Sequence, residues 1–165
     1  MYSSITLIGM AGAGKTSIGK VLSSRLEKRF IDSDHKIERE LSMTLQDILS
    51  KKGKAKFLEI EQQLILDLKF DEIILATGGS VIFSEEAMNH ICRNSSVLYL
   101  KVRFEKIQER VRNFDNRGFI KDSDQTFEQA FRSREHLYEK YADHVIDNED
   151  SIEVCLKKIE ELLEN

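Results

Sequence analysis

The chain has 165 residues, 41% hydrophobic and 33% charged, a size and balance suited to one α/β domain with a sizeable core. Its formal net charge of −4 supplies no basic field to gather nucleic acid, no run of 18 apolar residues offers a membrane span, and the N-terminus lacks the basic and apolar regions of a signal peptide. Cys92 and Cys155 stand alone, and His35, His90, His136 and His144 share no metal-ligand spacing, so a cytoplasmic chain with reduced, packed cysteines is expected.

The first element is a short apolar run over residues 4–8, which predicts a buried strand. Gly9-Met10-Ala11-Gly12-Ala13-Gly14-Lys15-Thr16 follows, with the Gly, four residues, Gly, Lys, Thr spacing of a phosphate-binding loop. Ile18, Val21, Leu22 and Leu26 then recur at helical spacing, predicting a helix over 15–28. Strand, loop, helix is the context in which such a loop works. Glycines at 12 and 14 let the backbone curl and aim successive N–H groups into one concavity, and the helix N-terminus adds its own N–H groups and positive dipole end. Lys15 would reach the β- and γ-phosphates, and the Thr16 hydroxyl would bind Mg²⁺. A nucleoside triphosphate is the expected ligand.

Residues 30–32 predict a second strand, and 34–68 read as helical with breaks near Ser42 and Gly53. Asp32 and Asp34 lie between them. In extended backbone residues two apart face one side, so one carboxylate would support Mg²⁺ through water and the other accept a substrate proton. The plainer alternative is that Asp34 only caps a helix. The basic cluster over 51–56 reads as a solvated helix end. A third strand over 72–76 leads into Thr77-Gly78-Gly79-Ser80, where paired glycines permit close approach of a ligand. Ser84 is placed to cap a helix reaching about 93, followed by a strand over 96–102 and a helix over 104–112. Polar residues from 113 to 124 predict a mobile lid carrying Arg117, with Arg110 just before it. A long helix over 125–142 puts Tyr138 on the face of Arg134, either a surface arginine or a fork for a carboxylate. A last strand over 145–147 precedes an amphipathic helix ending near Leu163, with Asp150 and Glu153 as its capping pair.

Strands alternating with helices from end to end argue for a five-stranded parallel sheet with helices on both faces, one domain over 1–165 with its lid at about 113–124. Ligands of such sheets bind beyond the carboxyl ends of the strands. The glycine loop, the two aspartates and Gly78-Gly79 all fall on that rim.

These residues in this order resemble the shikimate kinase family. The likeness runs from Gly9 to about Asp147 through the phosphate loop, Phe30 to Asp34, the Gly53/Phe57/Glu61 pattern, Thr77-Gly78-Gly79, Arg110, Arg117, Arg134 to Tyr138 and Ala142-Asp143. It implies a P-loop kinase fold and transfer of the ATP γ-phosphate to a hydroxyl of shikimate, giving shikimate 3-phosphate for aromatic amino acid biosynthesis. It implies ATP and Mg²⁺ as cofactors and a small-molecule acceptor; the chain itself is expected to be a monomer. By the same resemblance Gly12, Ala13, Gly14, Lys15, Thr16, Ser17, Arg110 and Arg117 serve the nucleotide, and Thr16 and Asp32 the metal. Asp34, Gly78, Gly79, Ser80 and Arg134 serve the acceptor, and Asp34, Lys15 and Arg117 serve catalysis. Three departures stand out. Leu58 occupies the position of an arginine that grips the acceptor carboxylate, Ser80 replaces a third glycine, and Gly118 replaces a proline. Ser80 would crowd the acceptor or add a contact, and the Lys51–Lys56 cluster is the nearest substitute cation. The alternatives are a kinase of the same fold for another hydroxy acid, amino acid or sugar acid, and a nucleotide-binding module without transferase activity.

Overall fold

A computed structural model of the chain describes residues 3–111 and 119–164. Its strands are β1 (Ile5–Ile8), β2 (Arg29–Asp32), β3 (Ile73–Ala76), β4 (Ser96–Lys101) and β5 (His144–Asp147). All pair in parallel, in the order β2-β3-β1-β4-β5. The three inner strands are apolar on both sides because both faces of the sheet are covered. Their side chains alternate between two cores. Ile8, Ile73, Leu75, Val97 and Tyr99 join one, and Ile5, Leu7, Ile74, Leu98 and Leu100 the other.

The first core is covered by α2 (Ser33–Leu41), α3 (Leu45–Leu66) and α4 (Glu85–Asn94), through Ile37, Ile48, Ile65 and Ile91. The second is covered by α1 (Lys15–Arg25), α5 (Phe104–Arg110) and α7 (Ile152–Leu163), through Ile18, Leu22, Ile107 and Leu156. The remaining helix, α6 (Phe127–Tyr141), contributes Tyr138 to the first core and Phe131 to the second. Cys92 and Cys155 are free thiols, the latter buried.

Local chemistry sets the boundaries. Ser84 caps α4 by accepting the Ala87 N–H at 3.1 Å. Thr126 and Gln129 form a capping box on α6. Helix α1 stops at Arg25, earlier than its apolar spacing suggests, because Glu27 turns left-handed (φ 54°) and the Lys28 N–H closes back on the Ser23 carbonyl at 2.9 Å. At the start of α7, Ser151 replaces the expected Asp150 as the cap, its hydroxyl oxygen accepting the Val154 N–H. Gly53 (φ 81°, ψ 168°) breaks α3 into two helical stretches, as its position in the sequence suggests. Residues 112–118, and Arg117 with them, lie outside the described residues. Beyond them the segment 119–124 is no simple polar loop, since Ile120 is 3% exposed and belongs to the first core.

Candidate active site

The phosphate loop leaves β1 at Gly9 and enters α1 at Lys15. Gly12 and Gly14 have φ of 85° and 94°, the left-handed region that favours glycine, so the loop curls around its own N–H groups. Lys15 is buried, and its ammonium donates to the carbonyls of Gly9 at 2.7 Å and Met10 at 2.8 Å. Burial pulls its pKa down to about 8, against the opposing pull of Asp34, Asp32 and Glu61. The loop opens onto a cavity of 450 Å³. Gly12, Gly14, Lys15, Thr16 and Ser17 form one wall, Asp32 and Asp34 a second, and Arg110 and Asn148 the far end. Ala13 does not line it. Its carbonyl instead accepts the Asn148 side-chain N–H at 2.7 Å, while the Asn148 carbonyl accepts Arg110 at 2.9 Å.

Asp32 and Asp34 do not share an extended backbone. Asp32 ends β2 and caps α2, accepting the His35 N–H at 3.1 Å, so Asp34 sits in the first helical turn. The cap is therefore Asp32, and the turn of the helix swings both carboxylates into the cavity. The second oxygen of Asp32 accepts the Thr16 hydroxyl at 2.6 Å. One hydroxyl and one carboxylate form a hard, all-oxygen pair beside a phosphate loop, which suits Mg²⁺, an ion held by few protein ligands together with phosphates and water. Burial first, then the neighbouring Asp32, raise the Asp34 pKa to about 6. That is a carboxylate ionised at neutral pH yet basic enough to take a proton.

Asp34 also lines a second, smaller cavity of 40 Å³ with Phe57, Gly79, Ser80, Ile120 and Arg134. Arg134 is no surface residue. It is 2% exposed, its guanidinium lies 5.0 Å from the Phe83 ring centroid and 4.3 Å from that of Phe119, and one terminal N–H donates to the Ile120 carbonyl. Its Nε–H has no hydrogen-bond partner among the described residues. The Tyr138 hydroxyl, one turn on, donates to the Gly79 carbonyl at 2.6 Å and fixes the turn that lines the pocket. Gly78 lines neither cavity; its N–H donates to the Ser33 hydroxyl oxygen at 2.9 Å.

Ser80 lines the small cavity, but its hydroxyl is engaged. It donates to the buried carboxyl of Glu61 at 2.7 Å. Leu58 is half-buried, packs on the first core and does not line the pocket. The lysine cluster does not replace the missing arginine there. Lys54 pairs with Asp122 and Lys56 with Glu59, both at the surface. Among the described residues Arg134 is the cation lining the small cavity, with Lys15 in the adjoining one.

Sequence reasoning passed over Asn148, Phe119 and Ile120, and gave Glu61 no role. Asn148 had a signal, since it follows β5 on the same rim as the other site residues. Glu61 had one too, as a charge at helical spacing between Phe57 and Ile65 on a buried stripe. Phe119 and Ile120 carried none.

The family model for shikimate kinase matches residues 11–164. A shikimate kinase of Dictyoglomus turgidum is 34% identical over 169 residues, covering 98% of each chain. One from Methylococcus capsulatus is 37% identical over 146 residues, 87% of this chain and 82% of its own. Among solved structures, shikimate kinase from Acinetobacter baumannii in complex with shikimate superposes with a TM-score of 0.88 at 30% identity, covering 98% of this chain and 93% of that one.

Proposed function

The chain belongs to the shikimate kinase family, and from that premise we propose that it transfers the γ-phosphate of ATP to a ring hydroxyl of shikimate, giving shikimate 3-phosphate. One observation carries the reading. Asp34 lines both cavities, the large one on the phosphate loop and the small one at Arg134, so a single carboxylate borders donor and acceptor.

The chain's own groups divide the work. Loop N–H groups, Lys15 and Ser17 hold the nucleotide phosphates, and Arg110 with Asn148 bounds the far end where the base would lie. The unpaired Nε–H of Arg134 is the natural donor to an acceptor carboxylate, whose second oxygen takes over the N–H now held by the Ile120 carbonyl. That exchange requires residues 119–120 to withdraw, since 40 Å³ does not admit a substituted six-membered ring. Gly79 and Ser80 bound the acceptor, and Gly78 supports them from behind. Asp34 accepts the proton of the attacking hydroxyl. Thr16 and Asp32 would hold Mg²⁺, which when bound offsets phosphate charge. Arg117 is assigned the lid role on family resemblance alone. The same reading takes the protein as a monomeric, cytoplasmic kinase of one domain over 1–165 with a lid at about 113–124. Among the described residues no helix is long and apolar enough to cross a membrane.

The test is ADP release across a panel of hydroxy acids, hydroxy amino acids and sugar acids at millimolar concentration. Shikimate is expected to exceed every other member. Turnover with shikimate no faster than the acceptor-free background would overturn the proposal.

A further inference from the structure

Glu61 is the one acidic side chain of α3 that the fold buries, and it is 2% exposed. It is held from one side only. The Ser80 hydroxyl donates to Oε2 at 2.7 Å, while Oε1 has no hydrogen-bond partner among the described residues. Oε1 is not aimed at random. A methyl group built on Gly78 would lie 2.3 Å from Glu61 Oε1 and 2.6 Å from Asp34 Oδ1, so the two oxygens converge on one spot across the glycine. Of the groups facing Glu61, Asp34 on α2 is acidic, Ser80 is neutral, and Lys15 and Arg134 supply charge without hydrogen-bonding to it. The residue one turn back on its own helix is Leu58, which brings no charge. A buried carboxylate without an ion-pair partner, opposite a second carboxylate, is the arrangement in which a carboxyl keeps its proton.

Resting on the proposed function, we propose that Glu61 is a positioning residue that works as a neutral acid. Ser80 holds its carbonyl oxygen, and its O–H is directed at Asp34 across Gly78, which leaves Asp34 the sole anion beside the acceptor hydroxyl. In this chain Ser80, which holds Glu61, stands where the family resemblance places a third glycine, and Leu58, one turn before Glu61, stands where it places an arginine. Ionised Glu61 would face Asp34 as a second anion and compete with the acceptor carboxylate for Arg134. The burial of Glu61, followed by the charge of Asp34, raises its pKa to about 8 from an ordinary 4.5, so the neutral acid prevails at pH 7 and gives way above pH 8.

Two measurements test this. The first is infrared difference spectroscopy of the whole protein at pH 7. It should show the carbonyl stretch of a protonated carboxylic acid that disappears in Glu61→Gln and persists in Asp34→Asn. No such band, or one unaffected by Glu61→Gln, overturns the proposal. This readout needs no turnover, so failure of shikimate as acceptor would sink the functional reading and leave the assignment of Glu61 standing or falling on its own. The second is the pH profile of kcat/KM with shikimate. The wild type should fall on an alkaline limb with a midpoint near pH 8. Lys15 also loses its proton at about 8, so the variant decides the owner of that limb. Glu61→Gln, fixed in the neutral form, should move the limb upward, whereas Glu61→Leu should lower kcat/KM by about tenfold across the range, the loss of one positioning hydrogen bond. An alkaline limb identical in wild type and Glu61→Gln assigns it to Lys15 and overturns the proposal.

Discussion

Replacing Gly78 by alanine puts a methyl group between the two carboxyls of the acceptor site. Gly78 is not among the residues with positive φ, so the backbone accepts alanine and the effect is steric. The new carbon would sit 2.3 Å from Glu61 Oε1 and 2.6 Å from Asp34 Oδ1, where ordinary contact begins at 3.4 Å. Both carboxyls must withdraw to restore ordinary contact, each by roughly 1 Å, which carries Asp34 off the acceptor hydroxyl. A displacement of that size at a reacting group costs on the order of 100-fold in rate. The phosphate loop is untouched by the change, so the two halves of the site should separate. A coupled assay of ADP release with shikimate should show kcat down by about 100-fold, while titration with a fluorescent ATP analogue gives wild-type affinity. A folded Gly78→Ala protein whose kcat stays within threefold would refute the placement of Asp34 and Glu61 on either side of this glycine.

The remaining predictions probe the other walls. Arg134→Leu removes the pocket's cation and should raise KM for shikimate by roughly 10–100-fold, the worth of a charge-assisted hydrogen bond, with KM for ATP unmoved in the same assay. Asn148→Leu strips the Ala13 carbonyl of its donor and frees the loop from β5, so KM for ATP should rise by about tenfold while KM for shikimate holds. Leu58→Arg supplies a cation to α3 one turn before Glu61 and should lower KM for shikimate; an unchanged or higher KM would mean the pocket is built for another acceptor.

The parts of this protein that a reader of the sequence can see are those coded by neighbours in the chain. The glycine loop, the apolar strands and the Ser84 cap are written within a few residues of one another. Asp32 and Asp34 are visible as a pair, but they do not share extended backbone, because a cap at Asp32 starts the helix one residue before Asp34 and the backbone turns there. The contacts that finish the site are of another kind. Glu61 meets Ser80 across 19 residues, Arg134 meets Ile120 across 14, and Asn148 meets Ala13 across 135. No local spacing encodes such pairs; they follow from the strand order, which brings β5 beside β4 and the end of α3 under the turn after β3. Ser80 shows the consequence most plainly. From the sequence it is a bulkier residue at a position of close approach, and only the buried Glu61 beside it shows what its hydroxyl bonds to.

The most direct test of the account is the fate of the phosphate in wild type and in Asp34→Asn. With ATP and shikimate, phosphorus NMR of the wild-type reaction should show a new phosphomonoester on a ring hydroxyl, formed in step with ADP. Asp34→Asn should bind ATP as tightly and form that ester about 10²–10⁴-fold more slowly, as expected for loss of a general base. ATP hydrolysis without the ester in the wild type, or an Asp34→Asn enzyme that makes it at the wild-type rate, would contradict the assignment of this site.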